Sequence, residues 1–325
     1  MDELKRAGCI RRAALAMALM LVAGLGVESR AGSYTGLVVF GDSLSDVGNT
    51  FAAATFPGAP YVGGRYSDGP IWVDYLAARL GIAAPTPSFL GGTDYAWGFA
   101  QSGADFSYPM GPMGPGVPNL LTQVGGFLMG GGTLNDGQLV SVWAGANDFL
   151  NNGVTDFVQV ADNIITAITT LAAAGGTHFL VGNLPLLGML PLTPAISDAQ
   201  RAGLNMLTMA FNATLGAKIA GLQAAMPGLD IHYFDVNAKF QQIIADPAAF
   251  GLTNVTDGAI FKTNPADGTG YLFWDEVHPT TAVHALIADV AFAAVVPEPS
   301  SLVLAAIAGG SVLVAARATR SRRAA

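Results

Sequence analysis

Cysteine is nearly absent from this 325-residue chain: Cys9 is the only one. It precedes the apolar run 13–27, on the wrong side for a lipoprotein cut. The rest of the chain therefore offers no thiol nucleophile, no zinc–thiolate site and no disulfide. Positive charge is scarce too. Nine of the fifteen Lys and Arg lie before residue 32 or after residue 316, so residues 32–296 keep six against 19 acidic residues, a net charge of −13. That balance argues against a nucleic-acid partner, whose binding rests on neutralised phosphates, and against docking on anionic lipid headgroups. Histidine occurs only four times, at positions 178, 232, 278 and 284, which shortens the search for a general base.

The two ends have the charge pattern that the middle lacks. Lys5, Arg6, Arg11 and Arg12 precede the apolar run, and Ser29-Arg30-Ala31 offers small residues at −3 and −1 of a cut. This is the layout of a secretory signal peptide over residues 1–31. The run is shorter than the roughly 20 residues that span a bilayer, which favours cleavage over an anchor. At the other end, Pro297-Glu298-Pro299 precedes a nearly apolar stretch, 300–316, followed by Arg317, Arg320, Arg322 and Arg323. That stretch is just long enough to span a membrane with the arginines on the cytoplasmic side. The segment 297–325 resembles the PEP-CTERM sorting signal of Gram-negative bacteria, which implies removal by a sorting protease of the inner membrane. The alternative is a permanent single-span anchor. Either reading implies export to the cell surface or beyond, and leaves residues 32–296 as one domain.

Within that domain, apolar β-branched runs at 36–40, 139–143, 178–181 and 231–234 predict buried strands. Helical spacing predicts helices over 70–80, 156–174, 195–226 and 282–294. Strands alternating with helices imply an α/β fold with a parallel sheet between helical layers. Ligands of such sheets bind beyond the carboxyl ends of the strands. There the chain places Gly41-Asp42-Ser43, Ala144–Asp148 and Gly182–Pro185. Residues 106–119, with four prolines and three glycines, read as a surface loop, with a flap beside the site as the alternative.

Ser43 follows the first strand, where a serine oxygen also serves as a helix cap. Catalysis requires a base within reach and a group that orients it. His178 and His232 lie on strands and read as structural. His284 falls in the last helix. His278 has Asp275 three residues before it, and Pro279 turns the backbone away from helix. In a turn, that spacing sets a carboxylate beside one ring nitrogen and frees the other. An attacked ester also needs donors for its oxyanion. Asn147 offers a side-chain amide, and residues 94–104 offer backbone N–H groups. Asp42, Asp46, Asn49 and Asp148 read as loop-holding hydrogen-bond partners, because no calcium-loop spacing is present. The glycine-rich run 125–132 lacks a phosphate-loop lysine.

Together these blocks resemble the GDSL, or SGNH, hydrolase superfamily. Residues 41–49 (GDSLSDVGN), 145–148 (GAND) and 275–279 (DEVHP) are similar to its blocks, in order. Residues 64–69 and 183–191 are similar to segments of the subgroup whose first block ends Asp-x-Gly-Asn. The resemblance implies a three-layer α/β/α sandwich, flavodoxin-like, and an esterase or lipase without a cofactor or metal. Ser43 would be the nucleophile, His278 the base and Asp275 its orienter. The Ser43 N–H, the Asn147 side chain and a backbone N–H of the second block would hold the oxyanion. In that block, residues 95–100 read YAWGFA where the subgroup has Tyr-Ala-x-Gly-Gly-Ala. The donor is then Phe99, or Gly98 through a small shift. The substrate would be a lipid or short-chain ester, with an acetylated carbohydrate as the runner-up. A non-catalytic surface or matrix-binding protein is the rival reading.

Overall fold

The computed structural model describes residues 34–109, 114, 116–151, 153–192 and 196–296. The expected signal peptide, the sorting segment and the stretch 300–316 lie outside the described residues. Among those described, no helix is long and apolar enough to cross a membrane.

All four predicted strands form, each with one further residue at one end: β1 (Gly36–Gly41), β4 (Gln138–Trp143), β5 (His178–Gly182) and β6 (Asp230–Phe234). The short strands β2 (Phe106–Ser107) and β3 (Val117–Pro118) intervene in sequence. The main sheet is wholly parallel, in the order β1-β4-β5-β6. Val38, Val39 and Phe40 of β1 and Leu139, Val140 and Val142 of β4 are buried on both faces, as expected of inner parallel strands. β6 is an edge strand, and only Ile231 and Phe234 in it are buried.

The other flank of β1 is covered by residues 93–97, which pair with it without forming a regular strand. Val39 N–H donates to Thr93 O (3.0 Å), Tyr95 N–H to Val39 O (2.7 Å) and Trp97 N–H to Gly41 O (3.2 Å). Counting this segment, the order becomes (93–97)-β1-β4-β5-β6, the flavodoxin-like arrangement. The α/β/α expectation holds.

Four helices match the predicted ranges within three residues: α2 (Trp72–Leu80), α5 (Phe157–Ala173), α6 (Asp198–Ala225) and α8 (Thr281–Val295). α2 packs on α8, and α5 on α6, giving the outer layers. Four more were not anticipated: α1 (Asn49–Ala54), α3 (Leu120–Met129), α4 (Ala146–Asn151) and α7 (Val236–Ala245). α3 carries Gly125 and Gly126 of the glycine-rich run. It forms because Leu120, Val124 and Phe127 bury one face at helical spacing. The loop at 106–119 contributes the β2–β3 hairpin; residues 110–113 and 115 in it lie outside the described set.

Candidate active site

Ser43, Asn147 and the loop of Asp275 and His278 meet at the carboxyl end of the sheet. Ser43 lies two residues past the last residue of β1. A β-carbon on Gly41 would overlap the Trp143 carbonyl, so only glycine lets the chain turn there. The buried Gln123 of α3 clamps this residue from both sides: Gly41 N–H donates to its Oε1 (3.0 Å), and its Nε2 donates to Gly41 O (2.8 Å). Ser43 caps no helix. The N–H groups of Gly48, Asn49 and Thr50, at the start of α1, donate instead to the Asp46 carboxylate. Ser45 is buried, and its Oγ accepts from Trp72 Nε1 (3.2 Å).

The Ser43 hydroxyl lies 2.8 Å from His278 Nε2, and His278 Nδ1 lies 2.6 Å from Asp275 Oδ2. A carboxylate only accepts, so Nδ1 carries the proton and Nε2 is left to accept from the serine. Asp275 Oδ1 takes the backbone N–H groups of Val277 (2.8 Å) and His278 (2.7 Å), which shape the turn. The three-residue spacing thus sets the carboxylate beside one ring nitrogen. Burial alone would raise the Asp275 carboxyl; the His278 charge and hydrogen bonds outweigh it and hold the group at about 2.

The second block separates its two alternatives. Gly98 N–H already donates to Asp46 Oδ2 and Thr50 Oγ1, both at 2.9 Å. A β-carbon at Gly98 would also collide with the Tyr66 hydroxyl. Gly98 therefore leaves the donor set, because its N–H is committed to the scaffold. Phe99 has φ +68°, in the left-handed region, and its N–H makes no hydrogen bond within the described residues. The Ser43 N–H is likewise unpaired there. Asn147 donates one amide proton to Ala100 O (2.9 Å), while its Oδ1 accepts from Asn151 (2.9 Å). Both contacts fix the amide so that its remaining N–H is available.

These residues fall inside a match to the GDSL-like lipase/acylhydrolase family that runs from residue 37 to residue 291. The chain belongs to this family. A GDSL esterase/lipase of Arabidopsis thaliana is 29% identical over 311 residues, covering 79% of this chain and 81% of that protein. A phosphatidylcholine-sterol acyltransferase of Aeromonas hydrophila is 26% identical over 313 residues, covering 80% and 89%. A solved carbohydrate acetylesterase from Sinorhizobium meliloti is similar at a TM-score of 0.43 and 17% identity, over 79% of this chain and 96% of that one. As a GDSL-family member, the chain is an ester-bond hydrolase.

The acidic residues near Ser43 tie the GDSL blocks together. Asp94 Oδ2 accepts from Val47 N–H (2.7 Å), and Asn49 Nδ2 donates to the carbonyls of Asp94 and Ala96 (both 2.8 Å). Asp148 accepts from the N–H and Oγ of Ser102. Asp42 stays within its own turn, accepting from Leu44 N–H, and burial pushes it up to about 7. No group of three or more His, Cys, Asp or Glu among the described residues is placed to hold a metal ion.

One residue of this GDSL site had no signal in the sequence. Tyr61, in the loop between α1 and α2, donates its hydroxyl to Asp275 Oδ2 (2.7 Å) across 214 positions. The other histidines lie elsewhere. His284 is buried in α8 and accepts from Trp72 N–H (3.3 Å), and burial depresses it to about 3. His178 and His232 share Asp230 at the opposite edge of the sheet.

Proposed function

We propose that this chain is an exported serine hydrolase that cleaves carboxylic esters through Ser43, His278 and Asp275. The observation that carries this reading is the unbroken line from Ser43 Oγ through the His278 ring to Asp275, with links of 2.8 and 2.6 Å. Ser43 Oγ attacks the acyl carbon as His278 Nε2 takes its proton. The carbonyl oxygen becomes an oxyanion, received by the Ser43 and Phe99 N–H groups and Asn147 Nδ2. The C–O bond to the alcohol breaks, and Nε2 returns the proton to the leaving oxygen. Water then attacks the acyl-serine, giving its proton to Nε2, and as the acyl C–O bond breaks Nε2 passes that proton to Ser43 Oγ and the carboxylic acid leaves. Ser43→Ala is expected to lower kcat/KM for p-nitrophenyl acetate by several orders of magnitude while the protein stays folded. Full activity in this variant overturns the assignment of Ser43 as nucleophile, and failure of a fluorophosphonate to label Ser43 in folded protein overturns the reading in favour of a non-catalytic binding protein.

The cavity shapes favour a short acyl group on a polar alcohol. The cleft between Ser43, Tyr66, Phe99, Asn147 and His278 measures about 80 Å³. It shares Phe99, Leu150, Asn151 and Leu192 with a groove of about 900 Å³ lined by polar side chains and by Phe106 and Tyr108. Two apolar cavities, one beside Phe240 and one beside Leu204, share no lining residue with the Ser43 cleft. The groove suits the hydroxyl-rich alcohol of an acetylated carbohydrate better than a lipid chain. Acetate esters are expected to exceed octanoate esters in kcat/KM, and an O-acetylated oligosaccharide to be deacetylated. Preference for long acyl chains shifts the reading to a lipase. Export rests on residues 1–31, and sorting with tail removal by an inner-membrane protease on 297–325. Intact-mass measurement of the mature protein from its host tests both cuts.

A further inference from the structure

Asp275 is saturated. Each of its oxygens accepts two hydrogen bonds: Oδ1 from the N–H groups of Val277 and His278, and Oδ2 from His278 Nδ1 and the Tyr61 hydroxyl. Three of the four come from its own turn. The fourth arrives from the loop between α1 and α2, whose position owes nothing to that turn. Tyr61 stands edge-on to Trp274 (ring centroids 6.3 Å apart) and to Tyr66 (6.4 Å), and the Tyr66 ring in turn lies 5.0 Å from the His278 ring. The hydroxyl is thus delivered by a packed aromatic cluster rather than by a free side chain. Burial and the Asp275 charge push its ionisation upward, so it remains a donor across the working pH range.

We propose that Tyr61 is a positioning residue of the hydrolase: its hydroxyl fixes the plane of the Asp275 carboxylate and withdraws charge from Oδ2, which tempers the support that Asp275 gives to a positive His278. This inference rests on the Ser43–His278–Asp275 reading. A hydrogen bond to a carboxylate stabilises its charge and lowers its basicity. With that bond removed, Oδ2 is left to His278 alone, the imidazolium is stabilised, and the neutral base forms only at higher pH. Loss of the bond also frees the carboxylate to rotate, which costs orientation in the transition state.

The test is Tyr61→Phe, which keeps the ring and deletes the hydroxyl. Its kcat for p-nitrophenyl acetate is expected to fall about 3- to 10-fold with KM nearly unchanged. The acid limb of its kcat/KM profile is expected to move upward by a few tenths of a pH unit. The other titratable groups facing the imidazole are Asp42, Tyr66 and His284, and Glu276 faces Tyr61. Burial pushes Asp42 up to about 7, so the shift must also appear in an Asp42→Asn background. A second readout is independent of turnover: the downfield proton resonance of the Asp275–His278 hydrogen bond should move in Tyr61→Phe. A merely structural tyrosine would change the melting temperature and leave the limb and the resonance in place. That result overturns the inference. It leaves the hydrolase reading standing as long as Ser43→Ala is inactive, whereas an active Ser43→Ala removes the reading on which the inference rests.

Discussion

Both ends of the parallel sheet hold a histidine against an aspartate. At the carboxyl end, His278 Nδ1 meets Asp275 at 2.6 Å, with 14% and 9% of the two side chains exposed. At the amino end, where β5 and β6 pair, His178 and His232 meet Asp230 at 3.1 and 3.0 Å, and half of the Asp230 side chain is exposed. The residue types and the distances are alike. Two differences separate them. The first pair is shielded from water, and its second ring nitrogen faces the Ser43 hydroxyl. At the second, two imidazoles share one carboxylate, and neither has a hydrogen-bonded hydroxyl among the described residues. In solvent such an ion pair is screened and contributes little. A His–Asp contact becomes chemically useful through burial and through what stands on the far side of the ring.

Three substitutions bear on that contrast. Asp275→Asn has the largest expected effect, about 10³- to 10⁴-fold in kcat, since an amide cannot hold the tautomer that leaves Nε2 free to accept. The matching loss should appear in acid. Asp275 is held at about 2, below its ordinary 3.8. Its contribution to stability is therefore complete above 3.8 and lost as pH falls through about 2, and Asp275→Asn should flatten that part of an acid-unfolding curve. Asn147→Ala is expected to cost about 10²- to 10³-fold in kcat with little change in KM, because the lost donor acts only on the developing charge. At the opposite edge, Asp230→Asn should change kcat/KM by less than about twofold and stability by roughly 0.5 kcal/mol. A tenfold activity loss in Asp230→Asn would erase the contrast drawn between the two pairs.

Much of the fold was legible because parallel strands announce themselves. Val38-Val39 is apolar and β-branched, the run Leu139–Trp143 is apolar but for Ser141, and helices separate the strands. The residues brought together at Ser43 were legible for a different reason: each sits within a few residues of a strand end or a tight turn, so local spacing carries their geometry. What escaped was either non-local or locally disfavoured. Tyr61 reaches Asp275 from 214 positions away, and nothing near it in sequence marks that contact. α3 carries two adjacent glycines that count against helix, and packing of Leu120, Val124 and Phe127 overrides them. Residues 93–97 pair with β1 too irregularly to show alternation. The choice between Gly98 and Phe99 needed the partner of one N–H group, which only the folded chain supplies.

The pairing of residues 93–97 with β1 brings two proposed oxyanion donors onto neighbouring rails. Trp97 N–H binds Gly41 O, and the proposed donors, at Ser43 and Phe99, each lie two residues further along their own rails. Neighbouring strands run about 4.8 Å apart, which sets the offset between Gly41 and Trp97, the last paired residues before them. Two of the three proposed oxyanion donors thus belong to the main chain, and the third is the Asn147 side chain. On the proposed reading, a substitution at position 99 would reshape the cleft beside Ser43 and leave both main-chain donors in place.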